Sequence, residues 1–254
     1  MLKKRIVGVI TIKNGWAVQS FGYGRYLPLG RPETIATNLD RWGVDEVLVQ
    51  CIDRYETGPD FALLESLCSQ GLSTPLVYSG GILTTAHAVS AIQSGADRVC
   101  VDSLLHEAPS RVMDISAHLG AQGVIACLPL SIGEHGVMWL DHRMRINRPL
   151  DPVVMAALRE GAISEALVID WKSEGILNSF DGRLLLIEEL AGIPIIAFGG
   201  LSKVDTMRSA LSTPNVTAIA QGNFLNYREH AVQALRNTLA GSPIRIAHYA
   251  ASPL

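Results

Sequence analysis

Short apolar runs alternate with amphipathic stretches along the whole chain. The apolar runs are rich in Val, Ile and Leu, and most of them lack alternating polar residues. Strands that are covered on both faces, as in a parallel sheet, have this pattern. Eight strands are therefore predicted, over residues 5–12, 46–52, 75–79, 98–102, 124–130, 166–169, 194–197 and 218–221.

The stretches between these strands have helical spacing, and several begin with residues that favour a helix start. Pro32 and Pro152 suit a first-turn position, and Thr84 and Ser202 suit N-caps. Eight helices are predicted, over residues 32–42, 61–69, 85–94, 110–119, 152–160, 182–190, 203–212 and 228–239. Eight strands that alternate with eight helices predict an α/β fold, the (β/α)8 TIM barrel, with a doubly wound open sheet as the alternative.

No linker or low-complexity segment divides the chain. We therefore expect one barrel over residues 1–247 and a C-terminal tail over residues 248–254. The one irregular stretch, residues 133–148, follows the fifth predicted strand. Its segment 136–140 is expected to form a small hairpin over one end of the barrel.

The composition narrows the class of protein. Of the 254 residues, 48% are hydrophobic and 18% are charged, which provides a large core and argues against disorder. The formal net charge of −3 argues against a broad nucleic-acid-binding face, and no apolar run reaches the ~18–20 residues that span a bilayer. Lys13 and Asn14 interrupt the apolar stretch that follows the basic N-terminus, so we do not expect a signal peptide. We therefore expect the protein to be cytoplasmic.

Cysteines and histidines do not indicate a metal site. The four cysteines form no CxxC pair, and we expect them to be buried, reduced thiols. His135 and His142 flank the expected hairpin, but no third ligand is evident. We therefore expect neither a metal nor a cofactor.

An internal repeat connects the two halves of the chain. Residues 75–82 and 194–201 align without gaps at an offset of 119 residues, and both contain a Gly-Gly pair. In each half, the next strand is expected to end 22 residues after the first glycine of the pair. Two similar half-barrels explain this repeat.

Each Gly-Gly pair lies where a strand ends and a helix begins. Glycine lets a ligand approach the backbone closely, and a helix N-terminus attracts phosphate. The alternative is that the glycines only make a tight turn. The candidate phosphate-binding residues are Gly80, Gly81, Asp102 and Ser103 in the first half, and Gly199, Gly200, Gln221 and Gly222 in the second.

Several motifs resemble one enzyme family. They are Lys4-Arg5-Ile6, Lys13-Asn14-Gly15, Gly30-Arg31-Pro32, Gly43-Val44-Asp45-Glu46, Ser79-Gly80-Gly81-Ile82, Gly95-Ala96-Asp97-Arg98, and Ile193-Pro194 with Phe198-Gly199-Gly200. Together they resemble the cyclase subunit of imidazole glycerol phosphate synthase, HisF, of the HisA/HisF superfamily. The resemblance runs from residue 1 to about residue 247.

The resemblance implies that a glutaminase subunit docks on the N-terminal face of the barrel. Ammonia then passes through the barrel to a bisphosphate substrate at the C-terminal face, where two aspartates do the acid–base work. Those aspartates match Thr11 and Pro129 here, and neither side chain transfers protons near neutral pH. Further polar positions of the family match Gln19, Cys51 and Phe198, so we expect ordinary cyclase activity to be lost.

The N-terminal mouth keeps the charges of the family. The resemblance implies a gate for ammonia formed by Arg5, Glu46, Arg98 and Glu165, with Asp97 as a contact of the glutaminase. The alternative is that these charges only stabilise the mouth of the barrel. Since the gate keeps its charges while the catalytic face has diverged, we expect docking and ammonia passage to be retained.

Other side chains are candidates for new chemistry. Asp170, Lys172 and Cys51 follow or end strands and are candidate catalytic groups, although an ordinary surface ion pair explains Asp170 and Lys172 equally well. The loop over residues 21–26 is expected to be either a mobile lid or a static packed loop. Arg25 in this loop is a candidate phosphate contact.

Four functions follow from these observations. The first is an accessory barrel that docks a HisH-like glutaminase and conducts ammonia to a separate sugar amidotransferase, as in surface-polysaccharide synthesis. The second is an enzyme with altered chemistry on a phosphorylated sugar-like substrate. The third is a true cyclase, and the fourth is a module that binds a phosphorylated metabolite without a glutaminase partner.

Overall fold

The computed structural model describes residues 3–134, 136–226 and 231–246. The predicted tail over residues 248–254 and His135 lie outside these ranges. The strands in the described residues are β1 (Arg5–Lys13), β2 (Trp16–Phe21), β3 (Arg25–Gly30), β4 (Glu46–Cys51), β5 (Leu76–Ser79), β6 (Arg98–Val101), β7 (Val124–Gly133), β8 (Gly136–Asp141), β9 (Ile146–Pro149), β10 (Glu165–Asp170), β11 (Ile195–Phe198) and β12 (Val216–Gln221).

Eight of these strands form a closed parallel barrel. Its order is β1-β4-β5-β6-β7-β10-β11-β12, and β12 pairs with β1 to close it. All eight predicted strands are present, so the predicted (β/α)8 barrel is confirmed. The closure of the sheet excludes the alternative of a doubly wound open sheet.

Two antiparallel additions extend the barrel at its C-terminal end. β2 pairs with the end of β1 and with β3, so residues 21–26 are the tip of a hairpin rather than part of a long loop. β8 pairs with the extended end of β7 and with β9. The predicted small hairpin at 136–140 is therefore the middle strand of this second addition.

The helices pack around the barrel. They are α1 (Pro32–Trp42), α2 (Phe61–Cys68), α3 (Thr85–Gln93), α4 (Ser103–Glu107), α5 (Ser110–Leu119), α6 (Pro152–Ala157), α7 (Val204–Ser212) and α8 (Ala231–Thr238). Pro32 and Pro152 start their helices, and Thr84 caps α3 by accepting from His87 N–H at 3.1 Å. Ser202 was predicted as a cap, but its hydroxyl instead bonds to Asn178.

The predicted helix over residues 182–190 is wrong. The structure has two 3-10 turns there, Gly182–Leu185 and Glu188–Leu190, separated by an extended residue. Leu184 and Leu190 are both buried. In one continuous α-helix they would point about 120° apart, because each residue turns the helix by about 100°. The break lets both side chains reach the core.

The core has two layers. An inner cluster fills the barrel with small and medium side chains such as Val7, Val9 and Ala218, and an outer cluster packs the barrel against its helices. The predicted burial of the cysteines holds for Cys51, Cys100 and Cys127, whereas Cys68 is exposed.

None of the helices in the described part of the chain has the length and the apolar character needed to cross a membrane.

Candidate functional site

A cavity of about 500 Å³ opens at the C-terminal ends of the barrel strands. The ends of β4 to β7 and β10 line it, together with the β2–β3 hairpin and the turn between β8 and β9. Active sites of barrels lie at this end, because the loops that follow the strands converge there. The cavity is therefore the candidate active site.

The two positions that match the family aspartates lie at this end of the barrel. Pro129 lines the cavity. Thr11 is buried, and it shares the inward face of β1 with Val7 and Val9, because alternate residues of a strand point the same way. Neither residue provides a group that gains or loses a proton near neutral pH.

The three candidate catalytic residues, Cys51, Lys172 and Asp170, have different surroundings in the structure. Cys51 lines the cavity, but burial raises the pKa of its thiol to about 12, so the thiol stays protonated at neutral pH. Lys172 is exposed, with Nζ 5.7 Å from the ring centre of Trp171.

Asp170 does not line the cavity. Its neighbours Ile169 and Trp171 do, so the strand alternation turns the Asp170 side chain outward. Its carboxylate accepts the backbone N–H of Asp181 at 2.8 Å, and burial raises its pKa. The alternation, counted from the inward-facing Glu165, is a signal in the sequence that predicts this orientation.

The structure brings the first set of phosphate-binding candidates together. Gly80, Gly81, Asp102 and Ser103 all line the 500 Å³ cavity. The second set, Gly199, Gly200, Gln221 and Gly222, lines a separate pocket of only about 30 Å³. Phe198 also lines that pocket, and its ring would lie 3.6 Å from a Cβ on Gly222. The first set therefore has the room for a ligand.

Packing alone also requires glycine in both pairs. A Cβ on Gly80 would lie 2.6 Å from the carbonyl oxygen of Cys51, and a Cβ on Gly199 would lie 2.5 Å from that of Asp170. Cys51 and Asp170 are themselves related by the offset of 119 residues. The two half-barrels thus make the same backbone contact.

The β2–β3 hairpin is fixed over the barrel by hydrogen bonds. Tyr23 at its tip donates its hydroxyl to Gln50 Oε1 at 3.0 Å, and the Tyr23 N–H donates to Glu174 at 3.3 Å. Ser20 also donates to Glu174, at 2.9 Å, and burial raises the pKa of this carboxyl. These contacts favour the static interpretation of the hairpin. Arg25 stacks over Phe21 and is not among the residues that line the cavity.

Four charged side chains meet at the opposite, N-terminal mouth of the barrel. Arg5, Glu46, Arg98 and Glu165 alternate in charge around the barrel, and each arginine contacts both glutamates. Arg5 Nη1 lies 2.9 Å from Glu46 Oε2, and Arg98 Nη1 lies 2.6 Å from Glu165 Oε2. We call these four residues the charged ring.

The surroundings of the charged ring add two contacts. Thr217, which the sequence analysis missed, donates its hydroxyl to Glu165. Burial raises the pKa of Glu165, but the charge of Arg5 and hydrogen bonds from Thr217 and Arg98 outweigh this effect and lower the pKa. Asp97 is exposed beside the ring, and its carboxylate accepts the N–H of Leu76 at 2.7 Å.

The comparisons with known proteins agree with this geometry. The model of the family described as histidine biosynthesis protein matches residues 5–231. The chain belongs to this family. A relative from Vibrio vulnificus (strain YJ016), named "Putative imidazole glycerol phosphate synthase subunit hisF2", is 27% identical over 255 residues, which cover 97% of this chain and 92% of that protein. The recognition of a HisF-like protein is therefore confirmed.

The cavity of this family member lies where barrels position their chemistry, and neither Pro129, which lines it, nor Thr11 carries a carboxylate. The sequence analysis missed Gln50, included Tyr23 only as part of the loop over residues 21–26, and considered His142 only as a metal ligand. His142 lines the cavity from the β8–β9 turn. The strand pattern gives no signal for this position, because antiparallel pairing outside the barrel brings the turn back over the strand ends.

Proposed function

We propose that this HisF-like barrel is a subunit of a glutamine amidotransferase system. It docks a HisH-like glutaminase on its N-terminal face and passes ammonia through the barrel. The observation that carries this proposal is the charged ring, which is complete at one mouth while Thr11 and Pro129 stand in place of carboxylates at the other. A barrel that keeps its entrance and loses its acid–base pair suits delivery of ammonia better than cyclase chemistry.

The ammonia reaches a phosphorylated ligand in the cavity or a partner amidating enzyme, such as a sugar amidotransferase of surface-polysaccharide synthesis. The first Gly-Gly pair supports a phosphorylated ligand, because both glycines line the cavity. Lys13 and Arg145 also line it and supply positive charge. The apolar inner layer supports the passage of neutral ammonia, which loses little hydration compared with ammonium.

Activation of the glutaminase tests the docking. The purified chain is expected to raise the glutamine hydrolysis rate of a HisH-like glutaminase. Asp97→Asn removes the exposed charge but keeps an acceptor for Leu76 N–H, so we expect weaker binding without unfolding. The matched control is Asp205→Asn, an exposed aspartate in the first turn of α7, toward the other face. Failure of the native chain to bind or activate the glutaminase would refute the docking.

Cyclase activity is the second candidate, because the Vibrio relative is named as a synthase subunit. It is tested by turnover of the bisphosphate substrate of imidazole glycerol phosphate synthase at saturating ammonium, which bypasses the glutaminase. We expect no turnover, since Thr11 and Pro129 cannot transfer the protons. Clear turnover would establish the cyclase and show that other groups carry the proton transfers.

A further inference from the structure

A histidine and a carboxylate face each other at the wall of the cavity. His142 Nδ1 lies 3.1 Å from Asp102 Oδ2, and His142 Nε2 lies 3.5 Å from Ser103 Oγ. All three residues line the cavity. Asp102 Oδ1 and His142 Nδ1 are both buried without a hydrogen-bond partner among the described residues. Neither contact is an aligned, short hydrogen bond, but catalytic contacts often tighten only when substrate binds.

The Asp102 carboxylate and the His142 imidazole are arranged as the two parts of an oriented general base. A carboxylate beside one ring nitrogen holds the imidazole in a fixed orientation and tautomer, which leaves the other nitrogen available for a proton. Here Asp102 lies beside Nδ1, and Nε2 lies 3.5 Å from Ser103 Oγ, at the wall of the cavity. The pair therefore has the arrangement that the positions of Thr11 and Pro129 lack.

Two tyrosines and two cysteines of the cavity are less suited to proton transfer. Burial raises the pKa of Tyr23 and of Tyr26, and it holds the Cys51 thiol protonated. The hydrogen bond to Cys100, together with burial, raises the pKa of Cys127.

His142 titrates closer to neutral pH than these groups. Burial disfavours its imidazolium, but Asp102 and Asp141 outweigh burial and the opposing charge of Arg143, so the pKa of His142 is raised above its ordinary value. Of the ordinary side chains, histidine is the one that exchanges protons in this range.

The lining of the cavity indicates the ligand. Aromatic faces of Trp171, Tyr23 and Tyr26 and the polar groups of Gln50 and Ser79 suit the apolar and hydroxyl faces of a sugar. Lys13 and Arg145 suit an anionic substituent, and Lys13 Nζ lies 3.9 Å from the ring centre of Tyr26. A volume of about 500 Å³ is in the range of small-molecule sites. A sugar phosphate combines these properties.

We propose that Asp102 and His142 form a general acid–base pair that acts on the carbon next to the carbonyl of a keto-sugar phosphate. His142 Nε2 takes the proton from that carbon. The C–H electron pair becomes the new C=C bond, and the carbonyl π pair moves to oxygen. Return of a proton from the imidazolium to carbon reverses the step, so no co-reactant is needed.

This inference rests on the proposed phosphorylated ligand, and it is independent of glutaminase docking. The probe is ribulose 5-phosphate in D2O. Calorimetry measures its binding, and proton NMR follows exchange of its C–H protons beside the carbonyl for deuterium. We expect the native chain to catalyse exchange and His142→Gln to reduce the rate by at least about 100-fold with binding retained, as expected for loss of a general base. The control His118→Gln, which replaces an exposed histidine of α5, is expected to exchange at the native rate.

A second measurement tests the positioning role of Asp102 directly. Asp102→Asn is expected to lower the pKa of His142 in an NMR titration of the imidazole, and to shift the pH profile of exchange in the same direction. Binding without exchange, unchanged exchange in His142→Gln, or an unchanged His142 titration in Asp102→Asn would each overturn the acid–base pair. Absence of binding would instead overturn the assigned ligand class, and this inference with it.

Discussion

Arg98→Met tests whether the charged ring is an energetic unit of the barrel. Arg98 is the bridge between two glutamates: its Nη1 lies 2.6 Å from Glu165 Oε2, and its Nε lies 3.0 Å from Glu46 Oε1. The two glutamate side chains are only 5% and 8% exposed. Methionine fills similar space but leaves both carboxylates with Arg5 as their one cationic partner in the ring.

The expected loss of unfolding free energy follows from the burial of Glu46 and Glu165. Removal of one partner from a buried ion pair costs about 3–5 kcal/mol, because the remaining charge is desolvated without compensation. The Arg98 side chain is 15% exposed at the mouth, so water can enter and the lower end applies. We expect Arg98→Met to lower the free energy of unfolding by about 3 kcal/mol. Arg98→Lys keeps one charge but not the bidentate geometry, so its loss should be smaller.

Urea unfolding at neutral pH measures this loss by linear extrapolation. The matched control is Arg183→Met, because Arg183 pairs with Asp181 at 2.6 Å but is 72% exposed, and exposed ion pairs contribute little to stability. The double variant Arg98→Met with Glu46→Leu should recover part of the loss, since it removes one of the unpaired carboxylates. If Arg98→Met costs no more than Arg183→Met, the ring does not stabilise the barrel and the reasoning fails.

Two further predictions concern the cavity and its cover. The folded-state pKa of Glu174 is raised by burial, so the folded chain binds more protons than the unfolded chain between the two pKa values. The stability contribution of Glu174 should therefore rise as pH falls from neutral toward the ordinary pKa of a glutamate. Glu174→Gln should flatten this part of the pH dependence of unfolding, and an unchanged slope would contradict the assignment. Gly81→Ala places a Cβ 2.5 Å from Arg54 O at φ +66°, whereas Gly71→Ala meets nothing within 4 Å at φ +69°. Both variants should lose about 1 kcal/mol of unfolding free energy, because alanine disfavours the left-handed backbone conformation. The clash with Arg54 O should make the loss clearly larger in Gly81→Ala. Thermal unfolding measures the difference, and equal losses would show that packing does not require this glycine.

The barrel could be predicted from the sequence alone. Buried parallel strands need apolar residues on both faces, so each of the eight strands is visible as a local run, and helix starts such as Pro32 and Thr84 are equally local. The repeat also placed Gly80 and Gly199 at equivalent turns, because each must pass close to the backbone of the preceding strand end.

Part of the site could not be predicted from the sequence, because it depends on tertiary contacts. Asp170 ends β10 just as Cys51 ends β4, yet the partner of its carboxylate is the Asp181 N–H, from a turn eleven residues later that no local pattern indicates. Asp102 and His142 lie 40 residues apart in the sequence, and they meet because β8 folds back along β7. The pattern of apolar and polar residues predicts which residues are buried, because burial depends on local spacing. Contacts between loops that are distant in the sequence form only when the closed barrel brings those loops together.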